Sequence, residues 1–289
     1  MDWSDLLLLL LLLVILVLYL RLMRKNRRLR QMADEANRLR REAEATEQRN
    51  RQLKQEMTSN IAHELKTPVA SIRGYLEILL SGKPLDDDRR RHFLERSFQQ
   101  TLRLSDLIQD VSVINKLEES AELFPMEHLD LRDVAQEAFD ELQDRAEAAG
   151  ISLHNRLPAL ALRGNHELLY RIFRNLADNA ISYAGRGVDV VVETYQPANS
   201  KFKNQNSEYL FLHFYDNGRG VPDEYLARLF DRFVRIGEGR SRADGGTGLG
   251  LSIVKHAVLF HHGEIYAKNR APGLEFYFSL KTATPSITQ

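Results

Sequence analysis

The chain has 289 residues, no cysteine, and 40 acidic and 40 basic side chains, so its formal net charge is zero. Without cysteine, a disulfide, a thiolate metal site and a cysteine nucleophile are all excluded. The length suits one or two globular domains with helical attachments, and the zero net charge conceals a strong segregation of charge along the chain.

The amino-terminal segment combines an apolar run with a basic cluster. Residues 6–20 form the run, and Trp3 and Tyr19 suit the two membrane interfaces. Two acidic residues near the amino end argue against a cleaved signal peptide. We therefore expect an uncleaved, single-pass membrane anchor over residues 1–21. The basic cluster that follows places the rest of the chain in the cytoplasm: Arg21, Arg24, Lys25, Arg27, Arg28 and Arg30.

Residues 22–56 follow a heptad pattern that predicts a parallel coiled coil. A single solvated, charge-rich helix is the alternative, because alanine, threonine and asparagine form a weak seam. The two core positions are occupied by Leu22, Leu29, Ala36, Ala43, Asn50 and Met57, and by Met32, Leu39, Thr46 and Leu53.

Residues 60–68 should lie on a helix that points one histidine outward. His63 and Thr67 fall on the side opposite an apolar stripe, and that stripe should be core. Glu64 could accept the N–H of one imidazole nitrogen and leave the other nitrogen able to attack phosphorus. Pro68 should bend the helix just beyond the histidine. The stripe consists of Ile61, Leu65, Pro68, Ile72, Leu76 and Leu79.

A second long helix is expected over residues 88–117. The connection before it, residues 81–86, has turn chemistry, so the two helices should form a hairpin. Two such hairpins make a four-helix bundle. The chain is therefore expected to dimerise.

Beyond Pro125 the pattern changes to mixed helix and strand. We expect a helix over residues 131–149 and a helix over residues 166–180 that carries Asn175 and Asn179 on one face. Amide oxygens are suitable ligands for Mg²⁺. Strands are predicted at residues 151–153, 188–195, 209–215, 264–267 and 274–280.

Two further segments have the chemistry of a nucleotide site. Asp216 follows a strand directly and could accept the exocyclic amine of adenine, with Gly218 and Gly220 allowing close approach. Residues 245–251 are rich in glycine and lead into a helix over residues 252–260, an arrangement that favours phosphate. Taken singly, these segments could be a hairpin turn and a flexible linker.

The order of these segments resembles one family. Residues 60–68 resemble the H-box of sensor histidine kinases, the membrane-linked half of bacterial two-component systems. The segments around Asn175, Asp216 and residues 245–251 are similar to the N, G1 and G2 boxes of the ATP-binding domain shared by histidine kinases, Hsp90 chaperones, gyrase and mismatch-repair ATPases. Residues 229–235 resemble the F-box that anchors the lid over ATP.

The resemblance implies roles for individual residues. His63 would be the phosphoacceptor, Glu64 the acid or base that assists transfer, and Thr67 the residue for phosphatase activity. Asn175 and Asn179 would bind Mg²⁺ through ATP. The complete set implied for ATP binding is Asn175, Asn179, Tyr183, Asp216, Gly218, Gly220, Arg235, Gly246, Thr247, Gly248, Leu249, Gly250 and Leu251.

The resemblance also implies a multi-domain α and α+β fold. A transmembrane helix and coiled coil would precede a dimeric four-helix-bundle phosphoacceptor domain over residues 57–122. A C-terminal α/β-sandwich (Bergerat) ATP-binding domain would cover residues 126–282, with a tail over residues 283–289. The expected partners are a second copy, the receiver domain of a response regulator, the inner membrane and an accessory membrane sensor, and direct binding to nucleic acid is not expected.

The chain departs from the family pattern in two ways. We expect no extracellular sensor loop between two membrane helices, and the chain has Ser182 where many kinases have a lysine after the N-box asparagine. Arg235 or Arg242 could supply the missing cation. The alternatives are a phosphatase-dominant or weak kinase, a scaffold that binds ATP structurally, and a chaperone-like or DNA-repair ATPase.

Overall fold

The computed structural model describes residues 3–82, 84–119, 124–196, 202, 208–236 and 247–282. Before residue 55 only some of the helical side chains are described. Gly246 and Arg242, most of the expected lid over residues 236–247 and the tail over residues 283–289 lie outside the described residues. The same holds for the side chains of the heptad positions Leu29, Ala36, Asn50 and Leu53.

The described residues form six helices and seven strands. The helices are α1 (Trp3–Leu80), α2 (Asp87–Glu119), α3 (Leu131–Ala149), α4 (His166–Tyr183), α5 (Asp223–Leu226) and α6 (Gly250–Phe260). The strands are β1 (Glu127–Asp130), β2 (Ile151–Asn155), β3 (Ala161–Gly164), β4 (Val188–Thr194), β5 (Tyr209–Asp216), β6 (Ile265–Asn269) and β7 (Leu274–Lys281). Each of the helices and strands expected beyond Pro125 is present, with ends shifted by a few residues.

The chain divides into two compact units, residues 1–60 and residues 61–289. The first unit is the amino-terminal part of α1, a single helix on which the described heptad residues Leu22, Met32 and Leu39 are exposed. Exposed ion pairs four residues apart, such as Arg40 with Glu44 at 2.8 Å, support it locally. Within the described part of the chain, no helix combines the length and apolar character that crossing a membrane requires.

In the second unit, the end of α1 and α2 form the expected helical hairpin. Tyr75 stacks on Phe93 with ring centroids 5.9 Å apart, and Pro68 and Ser97 are buried. The helix α1 continues through Pro68. The expectation that the whole apolar stripe is core was wrong for Leu76, which is 41% exposed, because a single hairpin covers only one side of each helix.

The remainder of the second unit is a sheet covered by helices, which confirms the expected α/β sandwich. The five-stranded sheet has the order β2-β4-β5-β7-β6, in which only β2 and β4 pair in parallel. The helices α3, α4 and α6 pack together against it. Phe139 of α3 meets Phe214 of β5, and Phe173 of α4 meets Phe278 of β7.

Two features of this unit were not predicted. The short strands β1 and β3 pair as a separate antiparallel sheet. The other face of β5 and β7 carries an aromatic cluster, in which His213 stacks on Tyr277 with ring centroids 4.3 Å apart and Phe202 packs on Phe211. This cluster gives the sheet a second, smaller core on the side away from the helices.

Candidate active site

The second unit contains a cavity of about 1130 Å³. Its wall is formed by α2, α3, α4, the end of β5 and the loops at residues 219–222, 234–236 and 247–251. The described residues that were expected to bind ATP and that line it are Asn175, Asn179, Tyr183, Asp216, Gly220, Arg235, Thr247, Gly248, Gly250 and Leu251. Three segments that are far apart in the sequence therefore meet at one cavity.

The helix α4 positions the two asparagines. The Asn165 side chain caps its amino terminus by accepting a hydrogen bond from the Leu168 N–H at 3.0 Å. Leu168, Ile172 and Leu176 are buried in the core, and this orientation leaves Asn175 and Asn179 facing the cavity. Helical periodicity thus explains why both amides are on the accessible side.

The chemistry of these amides fits a magnesium ion that is held together with phosphates. The Asn175 Nδ2 atom is buried and has no hydrogen-bond partner among the described residues, which leaves this donor free for a phosphate oxygen. In the same part of the chain, no group of three or more histidine, aspartate or glutamate side chains could hold a metal ion. Asn175 and Asn179 could supply oxygen ligands, with the substrate phosphates completing the shell.

Asp216 lies at the carboxyl end of β5 and is largely buried. Its Oδ1 atom accepts hydrogen bonds from the Gly218 N–H at 2.8 Å and the Leu274 N–H at 3.4 Å. Burial raises the pKa of Asp216, and these two bonds and Arg270 oppose the rise. Gly218 is required by space, since a Cβ atom there would lie 2.4 Å from the Ala184 carbonyl oxygen. This packing holds the carboxylate at the cavity wall.

The glycine-rich loop is anchored to the segment that resembles the F-box. The Phe233 N–H donates to the Gly248 carbonyl oxygen at 2.8 Å. Gly248 has a φ of +70°, and a Cβ atom there would lie 2.9 Å from the Phe233 Cα. Only glycine meets both demands without strain. Gly250 is close to the asparagines, since its Cβ would lie 3.3 Å from the Asn175 Oδ1.

The guanidinium group of Arg235 lies at the cavity. Its Nε and Nη2 atoms are buried, and neither has a hydrogen-bond partner among the described residues. Ser182, which stands where many kinases have lysine, lines the same cavity. Burial of an unpaired guanidinium is unfavourable in the absence of an anion.

His63 does not line this cavity. It is exposed on α1, and the Thr67 hydroxyl donates to its backbone carbonyl at 3.3 Å. Glu64 pairs with Arg103 of α2 at 3.5 Å and is not bonded to the imidazole as expected. The reason is that the Arg103 guanidinium holds the Glu64 carboxylate.

Two family models match the chain. The model of the His Kinase A (phospho-acceptor) domain matches residues 53–120. The model of the histidine kinase-, DNA gyrase B- and HSP90-like ATPase matches residues 164–284, which include the cavity segments from α4 onward. The chain belongs to the sensor histidine kinases of two-component systems.

Known sensor histidine kinases resemble this member in sequence and in fold. SenX3 of Mycolicibacterium smegmatis, a sensor-like histidine kinase, is 31% identical over 228 residues, 78% of this chain and 56% of SenX3. The chain spans about half or less of the length of such bacterial relatives, from 35% to 56%.

Two solved structures share the fold. The histidine kinase AdeS of Acinetobacter baumannii has a TM-score of 0.60 at 22% identity, over 77% of this chain and 98% of that one. The histidine kinase ThkA, in its complex with the response regulator protein TrrA, has a TM-score of 0.59 at 19% identity, over 79% of this chain and 61% of that one.

One side of this histidine kinase's cavity was missed by sequence reasoning. Charged residues of α2 line it at helical spacing: Arg96, Arg103, Asp106 and Asp110. Asp110 contacts Arg171 of α4 and Thr247 of the glycine-rich loop. The available signal was this periodic polar face on α2, which by itself is typical of a solvated helix.

Proposed function

We propose that the chain is an ATP-dependent protein-histidine kinase. It transfers the γ-phosphoryl group of Mg-ATP to His63 and then passes it to an aspartate of a response regulator. The observation that carries this proposal is the cavity itself, because one wall is α2 of the hairpin that bears His63 and the walls from α4 onward are segments matched by the ATPase model.

In this proposal the nucleotide is held by the residues that converge on the cavity. Asp216 accepts the adenine amine, and backbone N–H groups of Gly248 and Gly250 at the start of α6 face the phosphates, while the Leu249 N–H is bonded to the Thr247 hydroxyl. Thr247 and Leu251 flank that loop, and the expected Gly246 lies outside the described residues. Mg²⁺ bound through Asn175 and Asn179 would screen the phosphate charge.

Arg235 is the cation that we propose for the terminal phosphates. Its two buried nitrogens without a described partner support this role, because a phosphate would satisfy them with charge-assisted hydrogen bonds. Arg235 would then replace the lysine that is absent at Ser182. Tyr183, one residue further, lines the same cavity and would contact the nucleotide.

His63 acts as the nucleophile in the proposed transfer. A neutral imidazole nitrogen attacks the γ-phosphorus, a nitrogen–phosphorus bond forms, and the bond from phosphorus to the bridging oxygen breaks to release ADP. Glu64 stabilises the imidazole as it becomes positively charged and takes its other N–H proton. For this, the Glu64 carboxylate must leave Arg103. The exposure of His63 suits approach by an ATP-binding domain.

We also propose a parallel homodimer. Apolar residues on the outer side of the hairpin are exposed in the single chain and would be buried in a four-helix bundle. On α2 they are Leu94 (52% exposed), Phe98 (61%) and Ile108 (55%). The exposed heptad residues of the first unit would continue the pairing as a coiled coil.

The remaining assignments follow the same scheme. Residues 1–21 would anchor the chain in the inner membrane through the apolar run at residues 6–20, and residues 22–56 would form the signalling coiled coil. Residues 57–122 and 126–282 would be the phosphoacceptor and ATP-binding domains. The receiver of a response regulator is the proposed partner, as TrrA is for ThkA, and an accessory membrane protein would supply sensing.

A phosphatase-dominant enzyme is the second candidate. The pairing of Glu64 with Arg103 removes the acid from His63, while Thr67 remains exposed on the same helix. Such an enzyme would dephosphorylate the regulator quickly and hold little phosphohistidine. Thr67→Ala should then abolish regulator dephosphorylation and leave labelling of the chain unchanged.

The kinase proposal is tested with the full chain in nanodiscs, Mg²⁺ and γ-labelled ATP. Wild type should acquire acid-labile, alkali-stable label, and His63→Gln should acquire none. His92→Gln is the matched control, since His92 is also exposed on the hairpin, and it should label normally. Equal label in His63→Gln would contradict the proposal, as would no label in a wild type that binds ATP.

A further inference from the structure

The helix α2 brings a buried acid to the phosphate end of the cavity. The Asp110 side chain is only 13% exposed, and that of its partner Arg171 only 10%. The Asp110 Oδ1 atom accepts a hydrogen bond from the Arg171 Nη1 at 3.2 Å. The ion pair fixes the carboxylate against α4, so its second oxygen has a defined direction.

That second oxygen is bonded to the glycine-rich loop. The Thr247 hydroxyl donates to the Asp110 Oδ2 at 3.2 Å. The same hydroxyl oxygen accepts from the Leu249 N–H at 3.2 Å. The Thr247 hydroxyl proton and the Leu249 N–H at the start of α6 are therefore both engaged. A hydroxyl has a single proton to donate, so Thr247 cannot also donate to a phosphate.

The charge of Asp110 opposes phosphate binding, as does its hydrogen bond with Thr247. Burial raises the pKa of Asp110 to about 6, and Arg171 and the Thr247 hydroxyl oppose the rise. The carboxylate is therefore mostly ionised at neutral pH. Arg171 offsets part of this charge, and the remainder repels a second anion at the phosphate-binding loop, where low solvent exposure weakens screening.

We propose that Asp110 is a positioning residue that lowers the affinity for nucleotide phosphates, because its carboxylate holds the Thr247 hydroxyl and competes with them for it. The inference rests on the proposed function and adds a link between nucleotide binding and α2. If ATP displaces Asp110 from Thr247, it also loosens α2 from the ATP-binding domain. By thermodynamic linkage, docking of α2 weakens ATP binding by the same factor.

The test compares the dissociation constants of ATP, ADP and adenosine for the full chain. The variants are Asp110→Asn, which removes the charge at constant size, and Glu95→Gln, which removes a charge at an exposed residue of α2 outside the cavity lining. Asp110→Asn should bind ATP and ADP about tenfold more tightly and adenosine as wild type does. Glu95→Gln should shift all three constants little.

Further variants separate this role from a structural one. Asp110→Glu keeps the charge and should keep the weaker binding of wild type. In a double-mutant cycle, Thr247→Val should remove most of the gain from Asp110→Asn, because the two act through one contact. Thermal unfolding of each variant confirms that it is folded.

Several results would overturn the inference. An equal gain for adenosine would mean that Asp110 only shapes the cavity, and an equal gain in Glu95→Gln would mean that any acid on α2 has the effect. Unchanged affinity in Asp110→Asn would remove the inference and leave the kinase proposal intact. Failure of wild type to bind ATP at all would contradict the proposed function itself.

Discussion

The Glu64 carboxylate lies 3.5 Å from the guanidinium group of Arg103, and both side chains are largely shielded from solvent. The acid beside the exposed His63 is thus held by α2. Seven residues further along that helix, Asp110 contacts Thr247 of the glycine-rich loop. Because this spacing is about two helical turns, one face of α2 touches both the phosphoacceptor hairpin and the nucleotide cavity.

Glu64→Gln should slow autophosphorylation about 100-fold, since a positioned acid or base contributes on that order. The affinity for ATP should not change, because Glu64 lies outside the cavity lining. Initial labelling rates at saturating ATP, together with the dissociation constant for ATP, test this. Glu77→Gln, on the same helix and paired with Arg73 at 3.5 Å, is the control. If the two variants label equally fast, Glu64 has no part in transfer.

Asp216→Asn should weaken ATP binding about tenfold or more, because an amide presents a donor where the adenine amine needs an acceptor. The preference for ATP over GTP should fall with it. Competition between the two nucleotides for the wild type and the variant measures both effects. Asp140→Asn, on the exposed face of α3, should bind as wild type does. Retention of the ATP preference in Asp216→Asn would rule out base recognition by this residue.

Gly248→Ala should abolish nucleotide binding and lower the unfolding temperature. The backbone there has a φ of +70°, and the new Cβ would push against Phe233. Gly82→Ala is a matched control, because Gly82 has the same φ with nothing within 4 Å of its Cβ. Both substitutions carry the backbone strain of about 1 kcal/mol, but only the first displaces the loop. Equal effects on ATP binding would show that loop packing is unimportant.

The stability contributed by Asp110 should fall as pH rises. Burial raises its pKa from 3.8 to about 6, so between about pH 4 and pH 6 the folded chain holds a proton that the unfolded chain has released. The resulting cost at neutral pH is about 3 kcal/mol. The unfolding temperature of Asp110→Asn should therefore rise relative to that of wild type as the pH is raised from about 4 to 6.5. A gap between the two unfolding temperatures that is independent of pH would contradict this.

Phe98→Glu should weaken the proposed dimer. Phe98 is 61% exposed in the single chain, so the substitution costs little in the monomer but buries a charge in a four-helix bundle. Light scattering coupled to size-exclusion chromatography measures the mass. Leu259→Glu, which replaces a residue on α6 that is 51% exposed, should remain a dimer. If Phe98→Glu stays dimeric over the same concentrations, α2 does not pair through this face.

Much of the fold could be predicted because its elements follow simple periodicities. The strands β4, β5 and β7 are apolar runs of seven or eight residues, and α4 alternates buried leucines with polar positions. The short strands β1 and β3 have four residues each and little apolar character. Their pairing depends on contacts distant in sequence, so periodicity could not identify them.

The site was predictable only in part for a similar reason. Asn175, Asp216 and the glycine-rich loop are local motifs whose chemistry can be read without a fold. The contact of Asp110 with Thr247 joins residues 137 positions apart, and the departure of Glu64 from His63 depends on where α2 places Arg103. Such long-range pairings are set by tertiary packing, which no local pattern specifies.

The most direct measurement of the central claim is to locate the phosphoryl group after incubation of the full chain with Mg-ATP. Tryptic peptides kept at alkaline pH, to preserve phosphohistidine, are fragmented by electron transfer in a mass spectrometer. We predict one phosphoryl group on His63, and none on the chain when His63→Gln replaces wild type. A phosphoryl group on His92 or on another residue, with His63 unmodified, would contradict the account.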